Sequence, residues 1–352
     1  LDAPAESFPV DRVKTFLERF EPALRTLSRA ARYEDCDWQL PVREEGFSLL
    51  LPHLSGMRDL ARVLALRARL HLVEGRYDEA LNDTRTGINM ARHIGISATL
   101  IEGLVGIAVS QIMLDRVEEL IDAPASPSLY WALTELGAAP LFSFQDAMRW
   151  EHAMLYVHAP SLANLDRGGI SVEEYHRALG EVMGLKNMAG GRDEIRQEWL
   201  PATGTALALA VYPRARRALL EQGHGPEDVE AMSVAEVVMR YLVGGFEYHR
   251  DEIFKWAAVP FPEARRGMVA AQLELNEAVA EDPIANFLPG LLLPAITRAS
   301  SRFTKVDRRI ATLRIIEALR LHANATGEGL PDTLEEVRVC LLYTSPSPRD
   351  LV

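Results

Sequence analysis

The chain has 352 residues, 50 acidic and 38 basic side chains, a formal net charge of −12 and a hydrophobic fraction of 48%. Such a composition supplies ample core and excludes wholesale disorder, and the acidic excess removes the broad basic footprint that nonspecific nucleic-acid binding requires. The length predicts two domains or one elongated helical array. No stretch reaches the roughly 20 apolar residues of a membrane span. The nearest, Phe287 to Ile296, is broken by Pro289 and Pro294 and reads as a buried connector between helices.

Alternating β-branched runs bounded by turn residues are scarce, whereas apolar residues at helical spacing recur along the whole chain. The expected fold class is all-α, built of antiparallel helical hairpins. A first helix is predicted from Val10 to about Arg32, with Phe16, Phe20 and Leu24 on one face, followed by an irregular linker from Tyr33 to Leu51. Leu60, Leu64, Ala68 and His71 line the next helix, Gly75, Arg76 and Tyr77 make a turn, and Ala80, Leu81, Ile88 and Ala91 begin the return helix. A third helix is expected to start at Ser97 as N-cap and run to Leu120.

The Pro/Ser-containing run Asp122 to Ser128 is the first candidate boundary. It divides the chain into a region 1–121 and a larger, irregular helical region 129–339. In the second region, helices are expected over Leu129 to Leu136, stopping at Gly137, and over Phe144 to Val157. A capping box, Ser171 with Glu174, starts another helix. Ala189, Gly190 and Gly191 form a loop, and the helix from Ala206 to Gln222 ends at Gly223 before Pro226. A second capping box, Ser233 with Glu236, opens the longest central helix, which Gly244 and Gly245 are expected to kink. Helices from about Pro262 to Val279 and from Arg302 to Ala325 complete the set.

Leu64 and Ala68 with Gly75, Tyr77 and Ala80 resemble one tetratricopeptide repeat of about 34 residues, in which small residues let two helices approach. The pattern is departed from at Arg67, Thr84 and Gly87. More broadly, Cys36 to Trp38, Leu51 to Leu54, Ala61 to Ala91, Leu129 to Leu133 and Arg250 to Trp256 resemble a family of large uncharacterised helical proteins of planctomycete-type bacteria. That resemblance implies a fold and no chemistry. Glu317 to His322 with Gly327, Gly329, Leu330, Pro331 and Leu334 resembles a short pattern of pseudopilin-like exported proteins. The run Cys340 to Asp350 resembles a translated sequencing adapter. The expectation is therefore that natural sequence ends near Val339, that residues 340–352 are extraneous, and, since the first residue is Leu1, that the true start lies upstream.

Residue clusters with chemical potential are few. Glu173 and His176 form one Glu-x-x-His motif, but a di-iron bundle needs two with further carboxylates. Glu221 and His224 repeat the spacing and fall into a glycine turn. Glu247 to Glu252 is the densest ionisable group, in which His249 could act as a base steered by Glu252. Pairing of Glu247 with Arg250 on one face is the simpler expectation, with Phe246, Phe254 and Trp256 packing core. His152 and His158 fall on different helix faces. Ser97 lacks the second glycine of a nucleophile elbow, and the glycines around His224 lack the rest of a dinucleotide fingerprint. Setting Cys340 aside, Cys36 remains as a thiol expected to be buried, and the basic groups Arg214/Arg216/Arg217 and Arg308/Arg309 read as solvated helix faces.

No catalytic, cofactor-binding or metal-binding residue is therefore assigned. The expected function is a non-enzymatic helical scaffold for a protein or peptide partner. The alternatives are an enzyme or ligand-binding protein with a pocket between the two regions near His249 and Glu252, and an envelope-associated protein. The compartment is left open.

Overall fold

A computed structural model describes residues 7–46, 49–96, 99–167, 169–188, 200–259, 261–327 and 329–337. Among the described residues the chain is helical throughout, with no strand, as the periodicity predicts. Residues 340–350 lie outside the described residues.

The N-terminal segment forms two helices, α1 (Val10–Glu18) and α2 (Glu21–Ala30), where one was expected. Pro22 has no N–H to continue the hydrogen-bond ladder and sits in the first turn of α2, so the chain breaks at Phe20. The break also changes the face. Val13, Leu17, Leu24 and Leu27 are buried, while Phe16 is exposed with its ring tilted against that of Phe20 at 5.0 Å. A single turn, α3 (Val42–Glu45), interrupts the expected linker.

Helices α4 (His53–Val73) and α5 (Tyr77–Gly95) form a hairpin about Gly75, whose φ of +74° suits glycine. Leu64, Ala68, Ala80 and Ala91 are fully buried between them. Arg67, at an apolar position of the repeat pattern, is answered by buried Asp83, which accepts from its Nε (3.0 Å) and Nη2 (2.6 Å). Helix α6 (Leu100–Asp122) packs on the pair. Its N-cap is Thr99, whose hydroxyl accepts the Glu102 N–H at 3.2 Å. Ser97, the expected cap, lies outside the described residues. At the α5–α6 crossing a Cβ on Gly106 would stand 2.8 Å from the Ala91 carbonyl and 3.0 Å from the Gly95 Cα.

The second half contains α7 (Tyr130–Leu136), α8 (Phe144–His158), α9 (Val172–Met188), α10 (Leu200–Glu221), α11 (Pro226–Ala231), α12 (Val234–Phe254), α13 (Phe261–Glu281), α14 (Phe287–Leu292) and α15 (Pro294–Thr326). The connector expected from Phe287 to Ile296 is thus helical. Pro289 lies in the first turn of α14 and Pro294 at the start of α15, where a missing N–H costs little. The loop expected at Ala189, Gly190 and Gly191 lies outside the described residues.

One hydrophobic core continues across residue 122, with Leu24, Leu64, Met113, Leu120, Leu155, Leu219, Val238, Leu275 and Val306 all within it. Helix α15 lies against α6 and α7. Its buried Glu317 accepts from the Leu129 N–H (2.8 Å) and Ser128 hydroxyl (3.0 Å), and Arg309 reaches Asp115 (2.6 Å) and Glu118 (2.7 Å) on α6.

Candidate functional site

Helix α12 keeps its helical hydrogen bonding through Gly244 and Gly245, and forms the floor of a cleft in which polar and charged side chains converge. Ser233 caps α12 by accepting the Glu236 N–H at 3.1 Å. The reciprocal half of the capping box is diverted: the Glu236 carboxylate accepts from the Gly169 N–H (2.9 Å) and from Arg240 Nε (3.1 Å). Arg240 then donates through Nη2 to the Leu165 carbonyl at 2.7 Å, and the Ser233 hydroxyl donates to the Ile170 carbonyl at 3.1 Å. These bonds strap Leu165, Gly169 and Ile170 to α12.

The opposite wall comes from the end of α10. There the His224 N–H returns to the Leu219 carbonyl and the Gly223 N–H to Leu220, with Gly223 at φ +97°, a Schellman ending that turns His224 back toward α12. Tyr156 of α8 closes the third side. Arg240, Val243, Gly244 and Glu247 share one stripe of α12 as the floor, and the enclosed volume is about 360 Å³, within the usual range of small-molecule sites.

Glu247 accepts a hydrogen bond from the Tyr156 hydroxyl. Arg250 does not pair with Glu247 as expected; its Nε donates to Asp251 (2.8 Å) and its Nη1 lies 3.5 Å from the Tyr156 oxygen. Burial first, then the adjacent Glu247, pushes the Tyr156 phenol above its ordinary range, so it stays protonated as the donor.

Gly244 stands apart from the glycines at helix crossings. A Cβ added there would meet nothing within 4 Å. Helix-interior glycine costs about 1 kcal/mol relative to alanine, and no neighbouring atom requires it; its absent side chain leaves the cleft floor open.

The other residues singled out in the sequence are dispersed. His249 is buried, with burial holding its imidazole below the ordinary range against the opposing charge of Glu274, and Glu252 pairs with Lys255. Neither lines the cleft. Glu174 and Ser171 complete a reciprocal capping box (2.9 and 3.1 Å), while His176 lies 3.5 Å from the Thr205 hydroxyl. The His152 ring meets Phe254 edge-on at 5.9 Å. Cys36 is half-buried, less enclosed than expected, and its thiol is pushed up by burial and then by Asp37. Arg214 pairs with Asp282 and Arg216 with Glu230. Among the described residues no group of His, Cys, Asp and Glu is arranged to hold a metal ion.

Sequence reasoning reached Glu247 and His224 but missed Tyr156, Arg240 and Gly244 as members of one site. The stripe Arg240, Gly244 and Glu247 at helical spacing was visible, but nothing local links it to α8 or α10.

The fold defines an all-α protein with a polar cleft beside its central helix. No family model, curated protein or solved structure matches the chain.

Proposed function

We propose that the protein is a non-enzymatic binding protein that takes a small polar ligand in the cleft along α12. The observation that carries this is Gly244, a helix-interior glycine with open space above it and charged neighbours at either end of the same stripe. The test is ligand-observed NMR with a mixed set of small amines, acids and neutral polar compounds. Hits on the native chain that vanish with Gly244→Leu, which puts a side chain over the floor from a Cβ that meets nothing within 4 Å, support the reading once circular dichroism shows the variant folded. No hits, or hits indifferent to that substitution, defeat it.

A second reading, a scaffold for a protein or peptide partner, is favoured by an outward apolar pair on α13. Val269 is 54% and Leu273 56% exposed, one helical turn apart, beside Tyr248 of α12, which donates to Glu274 at 2.7 Å. The tetratricopeptide-like hairpin around Gly75 points the same way by analogy. Peptides selected on the native chain that lose affinity for Leu273→Asp support this reading, and selected peptides that all map elsewhere argue against it.

A further inference from the structure

Two formally charged side chains line the cleft, Arg240 and Glu247, and their surroundings are unequal. Arg240 is already answered. Its Nε is 3.1 Å from the buried Glu236 carboxylate and its Nη2 is bound to the Leu165 carbonyl, so that end of the cleft carries a compensated ion pair. Nearby Arg250 pairs with Asp251 at 2.8 Å and donates through Nη1 to the Tyr156 oxygen at 3.5 Å, without touching Glu247 itself.

Glu247 differs. Among the described residues no cation lies within ion-pair distance of its carboxylate, and its bond from Tyr156 comes from a neutral phenol. The half-buried carboxylate takes one bond from the phenol, is separated by that phenol from Arg250, and has hydrogen-bond acceptor capacity left over in a concave site. Tyr156, whose side chain lines the same cleft, supplies an aromatic ring beside it. A carboxylate next to an aromatic ring is the pairing that recognises an organic cation, through charge-assisted hydrogen bonds and the ring's negative face.

We infer that the ligand of the cleft is a small organic ammonium compound, its cationic nitrogen seated on Glu247 beside Tyr156 and its remainder lying over Gly244 toward Arg240. This rests on the cleft being a binding site, as proposed above. Open space over Gly244 gives the ligand its length, and Val243 gives an apolar strip for its carbon chain. At the far end the Arg240 guanidinium, its Nη1 not engaged by the bonds to Glu236 and Leu165, accommodates a neutral or acidic acceptor on the ligand.

The experiment is calorimetric titration of the full chain with choline and 1,4-diaminobutane as ammonium probes, and with acetate and inorganic phosphate as anion probes. Circular dichroism of each variant establishes that it is folded. Saturable binding of an ammonium probe is expected, weakened at least roughly tenfold by Glu247→Gln, which removes the charge and keeps an acceptor for Tyr156. Gly244→Leu abolishes it, and acetate and phosphate do not bind. Ammonium binding unchanged by Glu247→Gln overturns the inference. If only anion probes bind, and Gly244→Leu removes them, the cleft is a binding site and the ammonium assignment alone is wrong. If no ammonium binds while the mixed compound set still yields hits lost in Gly244→Leu, the assignment again falls alone. If that set yields none, both fall.

Discussion

Two glycines in long helices take opposite roles. Gly244 has open space where its Cβ would be, and Gly106 has the Ala91 carbonyl at 2.8 Å and the Phe142 ring at 2.9 Å. Gly244→Ala is therefore expected to stabilise the chain by about 0.5–1 kcal/mol through helix propensity. Gly106→Ala should destabilise it by about 1–3 kcal/mol, because backbone on the facing helix cannot yield. Urea denaturation of both variants checks the signs, and equal signs would remove the argument that Gly244 is kept for the cleft. Arg67 and Asp83 make a second contrast between residue type and place. Asp83 is 2% exposed and also faces His71 Nδ1 at 3.2 Å. Asp83→Ala leaves the Arg67 guanidinium with Glu21 at 3.4 Å as its remaining carboxylate. A loss of about 3 kcal/mol is expected, since one member of a buried pair is stranded; a loss below about 1 kcal/mol, the range of exposed pairs, would show the pair to be effectively solvated.

At the scale of the element, caps separate helices that stand on local bonds from helices that organise a neighbour. The Ser171 and Glu174 box is closed on itself at 2.9 and 3.1 Å. The Ser233 and Glu236 box is opened, because the Glu236 carboxylate is drawn to Gly169 and Arg240. Ser171→Ala should therefore cost about 1 kcal/mol with little effect elsewhere. Glu236→Gln should weaken ligand binding in the cleft as well as stability, since the strap at Leu165 depends on Arg240 being held. Hydrogen exchange at the Gly169 amide reads the strap directly, and unchanged protection there would refute this role. The two sequence signatures are alike. Helix starts, the turn at Gly75 and the ending at Gly223 were legible because capping and left-handed turns are settled by neighbouring residues. The break at Phe20 and the helical course of Phe287 to Ile296 were not, because periodicity ran through Pro22 and the prolines were weighed without their position within a turn.

At the scale of the whole molecule, half-buried carboxylates tie together segments distant in the chain. Glu151 on α8 accepts from the Leu100 N–H of α6 at 3.3 Å, and Asp307 on α15 accepts from the Leu141 N–H at 3.0 Å. Burial raises the pKa of both, with the backbone donor opposing it. A carboxyl with a raised folded-state pKa favours the folded state most below its unfolded value, and this contribution is lost as pH rises through the folded value. Glu151→Gln, which keeps an acceptor for Leu100, should therefore be more stable than the native chain at pH 7. The gain should vanish toward about pH 4, near the ordinary carboxylate range. Urea denaturation at both pH values checks it, and a gain that grows as pH falls would reverse the sign and reject the burial argument. Glu317 ties α15 to Ser128 and Leu129 at the end of the run from Asp122 to Ser128, and the core is continuous beside it.

The sequence by itself determined that the chain is all-α, where most helices start and stop, and which face turns inward on helices such as α4 and α5 but not on the first, because hydrogen-bond ladders, caps and apolar periodicity act within a few residues. Tertiary structure alone decided the cleft. Tyr156, His224, Arg240 and Glu247 meet only when α8 and the end of α10 come against α12. The same holds for which charges are answered and which are not: Arg240 and Glu247 sit on one helix stripe, yet Glu236 neutralises the first and a neutral phenol holds the second. Electrostatic environment is a property of neighbours in space, and the partner that distinguishes these two charges, Tyr156, lies on another helix.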